Sequence, residues 1–411
     1  MDCTQSTLAQ QALPRSLRTA MQDVTVIGAG PAGALLAYLL AVRGLRVVLV
    51  EKARLPRVKP CGGGLNHKTL ELLPFSIEPV VERVVSRLVF TQKLRHPFMR
   101  TYPEPLASLV TRCSFDHFLV QRAAAAGVQV YDACRVSSVD EGVRCLTLRT
   151  PKVTWHSRYL AFADGAKGTL RRQLGFPATA PHDLGFDLDV EAGPACPWKP
   201  DALYIDWGSW PQCYAWAFPK ADHWSIGVKG PPMQSRRLAR YLRQFMQHWQ
   251  LQPAADRLSY LAHMLPTRAP GTPLVRGRAL VLGDAAGLLE PFTGEGIYYA
   301  VRSAHLAAVA LLEASADDTS PQAYEVAVDA EIMPELSGAR VLQQLFDTYP
   351  GLFHLLVRSR PRYWRALAKI LRGERGFADV ERVLRRHPYL VRGALWLRAN
   401  RQGVMFQICT F

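Results

Sequence analysis

The chain is 411 residues long, 49% apolar and 20% charged, and 50 lysines and arginines against 34 acids leave a formal net charge of +16. That composition is ordinary for a globular protein, and the length predicts two to three domains rather than one core. The longest uncharged apolar runs, 32–42 and 304–312, fall well short of the roughly 18 residues of a membrane-spanning helix.

Residues 1–20 are polar, lack the apolar segment of a secretory signal and read as a flexible tail. Residues 24–51, VTVIGAGPAGALLAYLLAVRGLRVVLVE, then place a β-branched strand, a glycine turn, an apolar helix closed by Gly44, and a second buried strand in sequence. Gly28, Gly30 and Gly33 have the G-x-G-x-x-G spacing. The first permits the tight turn, the second lets backbone approach a pyrophosphate, and the third permits close helix–strand packing. The helix N-terminus offers free N–H groups to phosphate, and Glu51, at the end of the second strand, suits a ribose hydroxyl. NAD and FAD are both held this way.

KPCGGGLNHKT, residues 59–69, contains the one run of three glycines in the chain. Gly62, Gly63 and Gly64 are either a slack loop or backbone laid flat on a ligand. Cys61 beside them is either a small packing residue or part of a site. Further on, Asp164 and Gly165 follow the hydrophobic RYLAFA and precede a short basic helix. In YAWAF, Tyr214, Trp216 and Phe218 alternate with alanines and share a face. Trp224, Ile226 and Val228 do the same after a turn at PKADH, so the hairpin is expected to present one bulky apolar surface. It is either the core of a sheet or the wall of a tunnel for an apolar chain. ALVLGDAAGLLEPFTGEGI reads as a buried strand reaching Gly283 and Asp284, a loop to Gly294 and Gly296, and a long apolar helix from Ile297.

Residues 341–411 hold 13 basic side chains against four acidic ones. In RPRYWRALAKILRG, Tyr363, Trp364, Leu367, Ile370 and Leu371 fall on one helical face, flanked by Arg362, Arg365, Lys369 and Arg372. Such a helix is either packed on the body with a solvated basic face or laid on an anionic membrane. No nucleic-acid-binding module is evident, and no nucleic acid is expected. The eight cysteines show no CxxC, and no HExxH occurs. The expectation is no zinc, no disulfide framework, mostly free thiols, and a cytoplasmic protein with peripheral membrane contact as an added option.

The order GAGPAG, FADG, GDAAG…FTGEGI resembles flavoproteins with the p-hydroxybenzoate hydroxylase type of fold. Within that fold, KPCGGGL, GDAAGLLEPFTGEGI and PQCYAWAFPKADHWSIGVKG resemble the geranylgeranyl reductase family, from about residue 23 to about 330. The resemblance implies an FAD site. Gly28, Gly30, Pro31, Ala32 and Gly33 would lie at the pyrophosphate, with Glu51, Lys52 and Val136 toward the adenosine. Arg112, Asp164, Gly165, Gly283 and Asp284 would lie along the cofactor, Asp284 at the ribityl chain. Cys61, Gly62, Gly63, Gly294, Gly296 and Ile297 would lie at the flavin. A helix N-terminus there stabilises the negative charge of the reduced ring.

The fold expected is α/β (α+β overall): a Rossmann-like FAD-binding domain (21–83, 110–178, 266–330) interleaved with a β-rich substrate domain (84–109, 179–265), followed by a helical region (331–411). The implied activity is reduction of carbon–carbon double bonds in a prenyl chain, with NADPH or a ferredoxin as electron donor and a prenylated small molecule or lipid as partner. Cys61 and Tyr214 are the candidate proton donors, and Tyr214, Trp216 and Phe218 the candidate substrate wall. Gly287 stands where related hydroxylases carry His after GDAA. A flavin monooxygenase or halogenase remains the alternative, and a non-catalytic flavin-stabilised protein that binds polyprenyl lipid is a further one.

Overall fold

The computed structural model describes residues 21–178, 181–191, 198–208, 210–251 and 260–385. The expected tail 1–20 and the end of the expected helical region, 386–411, lie outside the described residues. The first β-branched run is the strand Gln22–Ile27. It lies at the centre of a parallel layer ordered Ala279–Val281, Thr154–Phe162, Gln22–Ile27, Val47–Val50, Gln129–Tyr131. Val47–Val50 is buried along its whole length, as a parallel strand covered on both faces must be. An antiparallel pair, Ser138–Glu141 and Leu146–Arg149, extends the layer beside Thr154–Phe162.

Helix α1 (Pro31–Ala41) connects the first two strands, α2 (His67–Glu71) is a short helix after the glycine run, and α3 (Arg112–Ala125) packs beside α1. A three-stranded sheet of Gly64–Leu65, Ala107–Leu109 and Arg83–Val85 lies where the chain leaves this layer and returns to it.

The second large sheet has seven strands, ordered Leu261–Pro266, Pro181–Glu191, His223–Gly230, Tyr214–Pro219, Ala202–Trp207, Arg87–Gln92 and Arg95–Thr101. Helix α4 (Ser235–His248) lays Leu238, Tyr241, Leu242 and Phe245 against Ala215, Ala217, Ile226 and Val228 on one face of it. This corrects the expected hairpin. The register opposes Ala215 to Val228, Ala217 to Ile226 and Trp216 to Gly227. Opposed residues share a face, so the two bulky sets point to opposite sides. Ile226 and Val228 join the alanines under α4, while Tyr214, Trp216 and Phe218 face away from it. From Ala215 to Phe218 large opposes small, with Trp216 across from Gly227 and Phe218 across from Ser225, which fills the sheet surface without overpacking.

Helix α5 (Ile297–Asp317) packs on α1, and α6 (Ala323–Glu331), α7 (Met333–Thr348), α8 (Pro350–Ser359), α9 (Pro361–Arg372) and α10 (Phe377–Arg385) follow. On α9, Trp364, Leu367 and Ala368 pack against Val85, Leu88, Phe90, Leu203 and Trp207. The apolar face expected of this helix is covered by the body of the protein, with Tyr363 alone of its members turned to solvent. Among the described residues no helix is long and apolar enough to cross a membrane. Cys61, Cys134, Cys145 and Cys213 are free thiols. Cys113 is disulfide-bonded, which sequence spacing did not indicate, because spacing does not reveal which cysteines the fold brings together.

Candidate active site

One cavity of about 340 Å³ runs from the first glycine turn, past the 59–64 loop, to the C-terminal helices. At its first end α1 starts at Pro31 with Gly30 as N-cap and no side-chain cap, so its first N–H groups are left for a ligand. The three glycines have three different reasons. Gly28 has φ +105°, and a Cβ there would lie 2.3 Å from the Ala163 carbonyl oxygen. A Cβ on Gly33 would lie 1.9 Å from the Gly28 oxygen, so that position is fixed by packing. At Gly30 the nearest atom is an Arg57 nitrogen at 3.7 Å, and the space beside it is open to a ligand. The buried Glu51 supports this turn: it accepts the N–H of Ala29 at 2.9 Å and that of Ala53 at 3.0 Å.

Further along, Asp284 follows the strand Ala279–Val281 and sits beside the N-terminus of α5, which is capped by no side chain. It pairs with His263 Nε2 at 3.0 Å and lies 3.8 Å from Lys59 Nζ. Burial pushes the Asp284 carboxyl up. The His263 hydrogen bond and the charges of Lys59 and Arg112 outweigh that and hold it well below the usual carboxylate range. Arg112 is buried and forms a two-pronged pair with Asp116, 2.8 Å on each prong. Two helix N-termini, a glycine gap and a basic group beside an ionised Asp284 suit a dinucleotide with an anionic pyrophosphate and a polyol chain, so the residues present fit FAD.

The loop from Lys59 to Gly64 forms the middle of the cavity. The Cys61 N–H donates to Asp187 Oδ2 at 2.5 Å, and the Gly63 N–H to the Cys61 sulfur at 3.4 Å. Lys220 Nζ donates to the carbonyls of Gly62 and Val110 at 2.8 and 2.7 Å, and the Val110 N–H returns to Gly63 O. A Cβ on Gly62 would lie 2.8 Å from the Phe218 ring. One on Gly63 (φ +63°) would lie 2.0 Å from Val110 O. The glycine run is therefore neither slack nor dictated by a ligand alone: the protein itself leaves no room for side chains at 62 and 63. Burial, aided by Asp189, pushes the Asp187 carboxyl up to about 7, and burial pushes the Lys220 ammonium down.

Across from this loop, the seven-stranded sheet supplies a trough. Gly185 and Gly227 lie on adjacent strands, and the Trp216 indole fills the place of a Gly227 side chain, where a Cβ would come within 2.1 Å. Tyr214 stands at the edge, its hydroxyl donating to the Thr293 carbonyl, and burial pushes its ionisation up. Lys229 Nζ is held by Asp183 at 3.0 Å and by the Pro291 carbonyl. Buried Glu290 accepts the N–H of Phe292 and of Thr293. The 290–296 loop is thus fastened from both sides. Beyond Phe218 the lining turns wholly apolar, with Leu88, Phe90, Leu203 and Trp207 from the sheet, Phe292, and Phe346, Leu367, Ile370, Leu371 and Phe377 from the C-terminal helices.

Of the residues expected at a site, the cavity wall includes Gly30, Pro31, Ala32, Cys61, Gly62, Gly63, Arg112, Gly165, Tyr214, Trp216, Phe218, Asp284, Gly294, Gly296 and Ile297. Gly28, Gly33, Glu51 and Gly283 stand behind it as backbone or turn supports. Asp164, pushed up to about 6 by burial, is a neighbour of the wall with one oxygen unpartnered. Val136 is packed in the core and Lys52 is exposed, both outside the cavity wall. Sequence reasoning missed Lys59, Asp187, Lys229, His263 and the α7, α9 and α10 residues. Lys59 was signalled by its place in the glycine motif. The others carry no local signal, because strand register or tertiary packing alone brings them to the cavity.

A family model described as FAD binding domain matches residues 21–207. An uncharacterized protein of Methanosarcina barkeri is 31% identical, covering 70% of this chain and 73% of its own. A geranylgeranyl diphosphate reductase of Rhodobacter capsulatus is 28% identical over 71% and 75%. Among solved structures, a geranylgeranyl bacteriochlorophyll reductase-like protein of Thermoplasma acidophilum superposes with a TM-score of 0.71 at 21% identity, covering 92% of this chain and 99% of its own. The flavin-dependent brominase Bmp2 superposes with a TM-score of 0.72 at 18% identity, over 90% and 100%. The two structural likenesses speak to the fold.

Proposed function

This chain belongs to the geranylgeranyl reductase family of FAD-dependent oxidoreductases, and we propose that it reduces carbon–carbon double bonds of a geranylgeranyl-type prenyl chain. The observation that carries the reading is the continuity of the cavity: the polar end that fits FAD opens past the Cys61–Gly64 loop into a lobe lined by apolar side chains. Prenyl chains offer almost no hydrogen bonds, and an apolar lobe recognises them by area and shape. Bound at that polar end, FAD in its reduced form would supply the hydride for one alkene carbon, and the proton for the other would come from a protein group or water. The electrons are proposed to come from NADPH or a ferredoxin.

The residues divide the remaining work. Trp216, Phe218 and the lobe orient the alkene and exclude water, which matters because an isolated alkene is a poor hydride acceptor. Tyr214, a candidate proton donor, has its hydroxyl proton committed to the Thr293 carbonyl and acts here as a wall. Cys61 stays a candidate, with Arg112 and Lys220 close to its sulfur. Asp187 joins it, because a carboxyl raised to about 7 is partly protonated at neutral pH and lies directly behind the Cys61 amide.

The test is anaerobic incubation of dithionite-reduced holoenzyme with geranylgeranyl compounds. The expected product is heavier by two hydrogens for each bond reduced. A product that forms only with oxygen and carries an added oxygen or halogen supports the monooxygenase or halogenase alternative, whose fold the brominase shares. Tight lipid binding with no product supports the non-catalytic one.

A further inference from the structure

Helix α8 backs one side of the apolar lobe. Phe353, on the inner face of α8, stacks on Phe346, Trp207 and Phe292 at ring distances of 5.1, 5.6 and 6.4 Å, and those three rings line the lobe. On the same inner side His354 accepts the Trp207 indole N–H at 3.1 Å and meets the His96 carbonyl. The outer face is also apolar. Leu352 and Leu355, one turn apart, are 53% and 57% exposed, with Tyr349 before them. An amphipathic helix seated on its own protein turns its polar side outward. This one turns leucines outward.

The surrounding charge is one-sided. From 349 to 372 the chain contains no Asp or Glu. Arg358, Arg360, Arg362, Arg365 and Lys369 are exposed, and none forms an ion pair with a described residue. The corner that carries them is rigid, since Arg100 Nε donates to the Val357 carbonyl at 3.1 Å and Trp364 Nε1 to the Thr101 carbonyl at 2.8 Å. A leucine stripe with uncompensated arginines at its end is complementary to an anionic bilayer, where the leucines enter the acyl boundary and the guanidiniums reach the headgroup phosphates.

We propose that the outer face of α8, with the basic corner it makes with α9, docks on an anionic lipid surface and turns the α8 side of the apolar lobe toward the bilayer. Docking stands on the stripe and the charge. Its use, drawing a prenyl chain from the membrane, rests on the prenyl-reductase reading above.

The FAD-loaded full chain is floated with vesicles of phosphatidylcholine alone and with equimolar phosphatidylcholine and phosphatidylglycerol. The wild type is expected to rise with the anionic vesicles and stay behind with the neutral ones. Leu352→Ser combined with Leu355→Ser, and separately Arg358→Gln with Arg362→Gln and Arg365→Gln, each retain flavin. The arginine triple weakens binding on the order of a hundredfold. Reduction of a detergent-dispersed prenyl substrate is unchanged in both. Three outcomes overturn the proposal: wild type that does not float with anionic vesicles, equal flotation with neutral ones, or variants that float as the wild type does. The last assigns the contact to another part of the chain, 386–411 included. Retention on an acidic protein without flotation overturns it in favour of a protein partner. Flotation without any prenyl reduction leaves docking standing and sinks the enzymatic reading instead.

Discussion

At the Gly30 end of the cavity the wall is made of backbone N–H groups, carboxylates and basic side chains set within a few residues of a glycine. At the Leu367 end it is apolar side chains contributed by the seven-stranded sheet and by helices far away in the chain. The first end is specified by hydrogen bonds whose geometry tolerates almost no change. The second is specified by volume, which several side chains share and which tolerates substitution of like for like. The two ends should therefore fail in different ways, and mutations that separate flavin retention from substrate use test whether they do.

The largest effect is expected at Gly33, where a Cβ already meets the Gly28 oxygen at 1.9 Å. Gly33→Val should yield protein without flavin absorbance, and a variant with full flavin content breaks the comparison at its polar end. Asp187 comes next. Its folded carboxyl titrates near 7 rather than near 3.8, so the folded state holds the proton more tightly than the unfolded one. Stability should fall as pH rises from about 4 through about 7, by at most about 4 kcal/mol. Asp187→Asn should reduce that slope in thermal melts across the window, leaving the share that the raised Asp164 contributes, while the Asn oxygen still accepts the Cys61 N–H. An unchanged slope removes Asp187 as the titrating group.

At the other end, Leu367→Trp should fill part of the lobe and lower kcat/KM for a long prenyl substrate by about tenfold or more at constant flavin content. Equal loss of flavin would show that the ends are not separable. The smallest effect is expected for Tyr214→Phe, which removes one hydrogen bond to Thr293 and should reduce turnover less than about tenfold. A far larger loss, comparable with Cys61→Ser, would return Tyr214 to proton transfer.

The same contrast explains what could be read from the sequence. Gly28, Gly30, Gly33, Asp284, Gly294 and Gly296 do local jobs at turns and helix starts, and local jobs leave local patterns. The pocket face of Tyr214, Trp216 and Phe218 was legible from their alternation. The side taken by Ile226 and Val228 was not, because it depends on which residue opposes which, and the strand patterns alone did not fix that register. Asp187, His263 and Lys229 reach the cavity through pairing with distant strands. The apolar face of α9 was visible as a stripe, but a stripe looks the same whether it packs on protein or on lipid. The structure gives that face to the lobe, and it is α8 that carries exposed leucines.

The packing of Trp216 has a spectroscopic consequence. Its indole sits over Gly62 in the space left by Gly227, in the cavity wall, with its N–H buried and without an acceptor. An indole so shielded emits toward the blue, and flavin absorbs in that range. The cavity therefore carries its own optical probe: loading with flavin should quench a blue component of the tryptophan emission, and Trp216→Phe should remove that component from the difference spectrum.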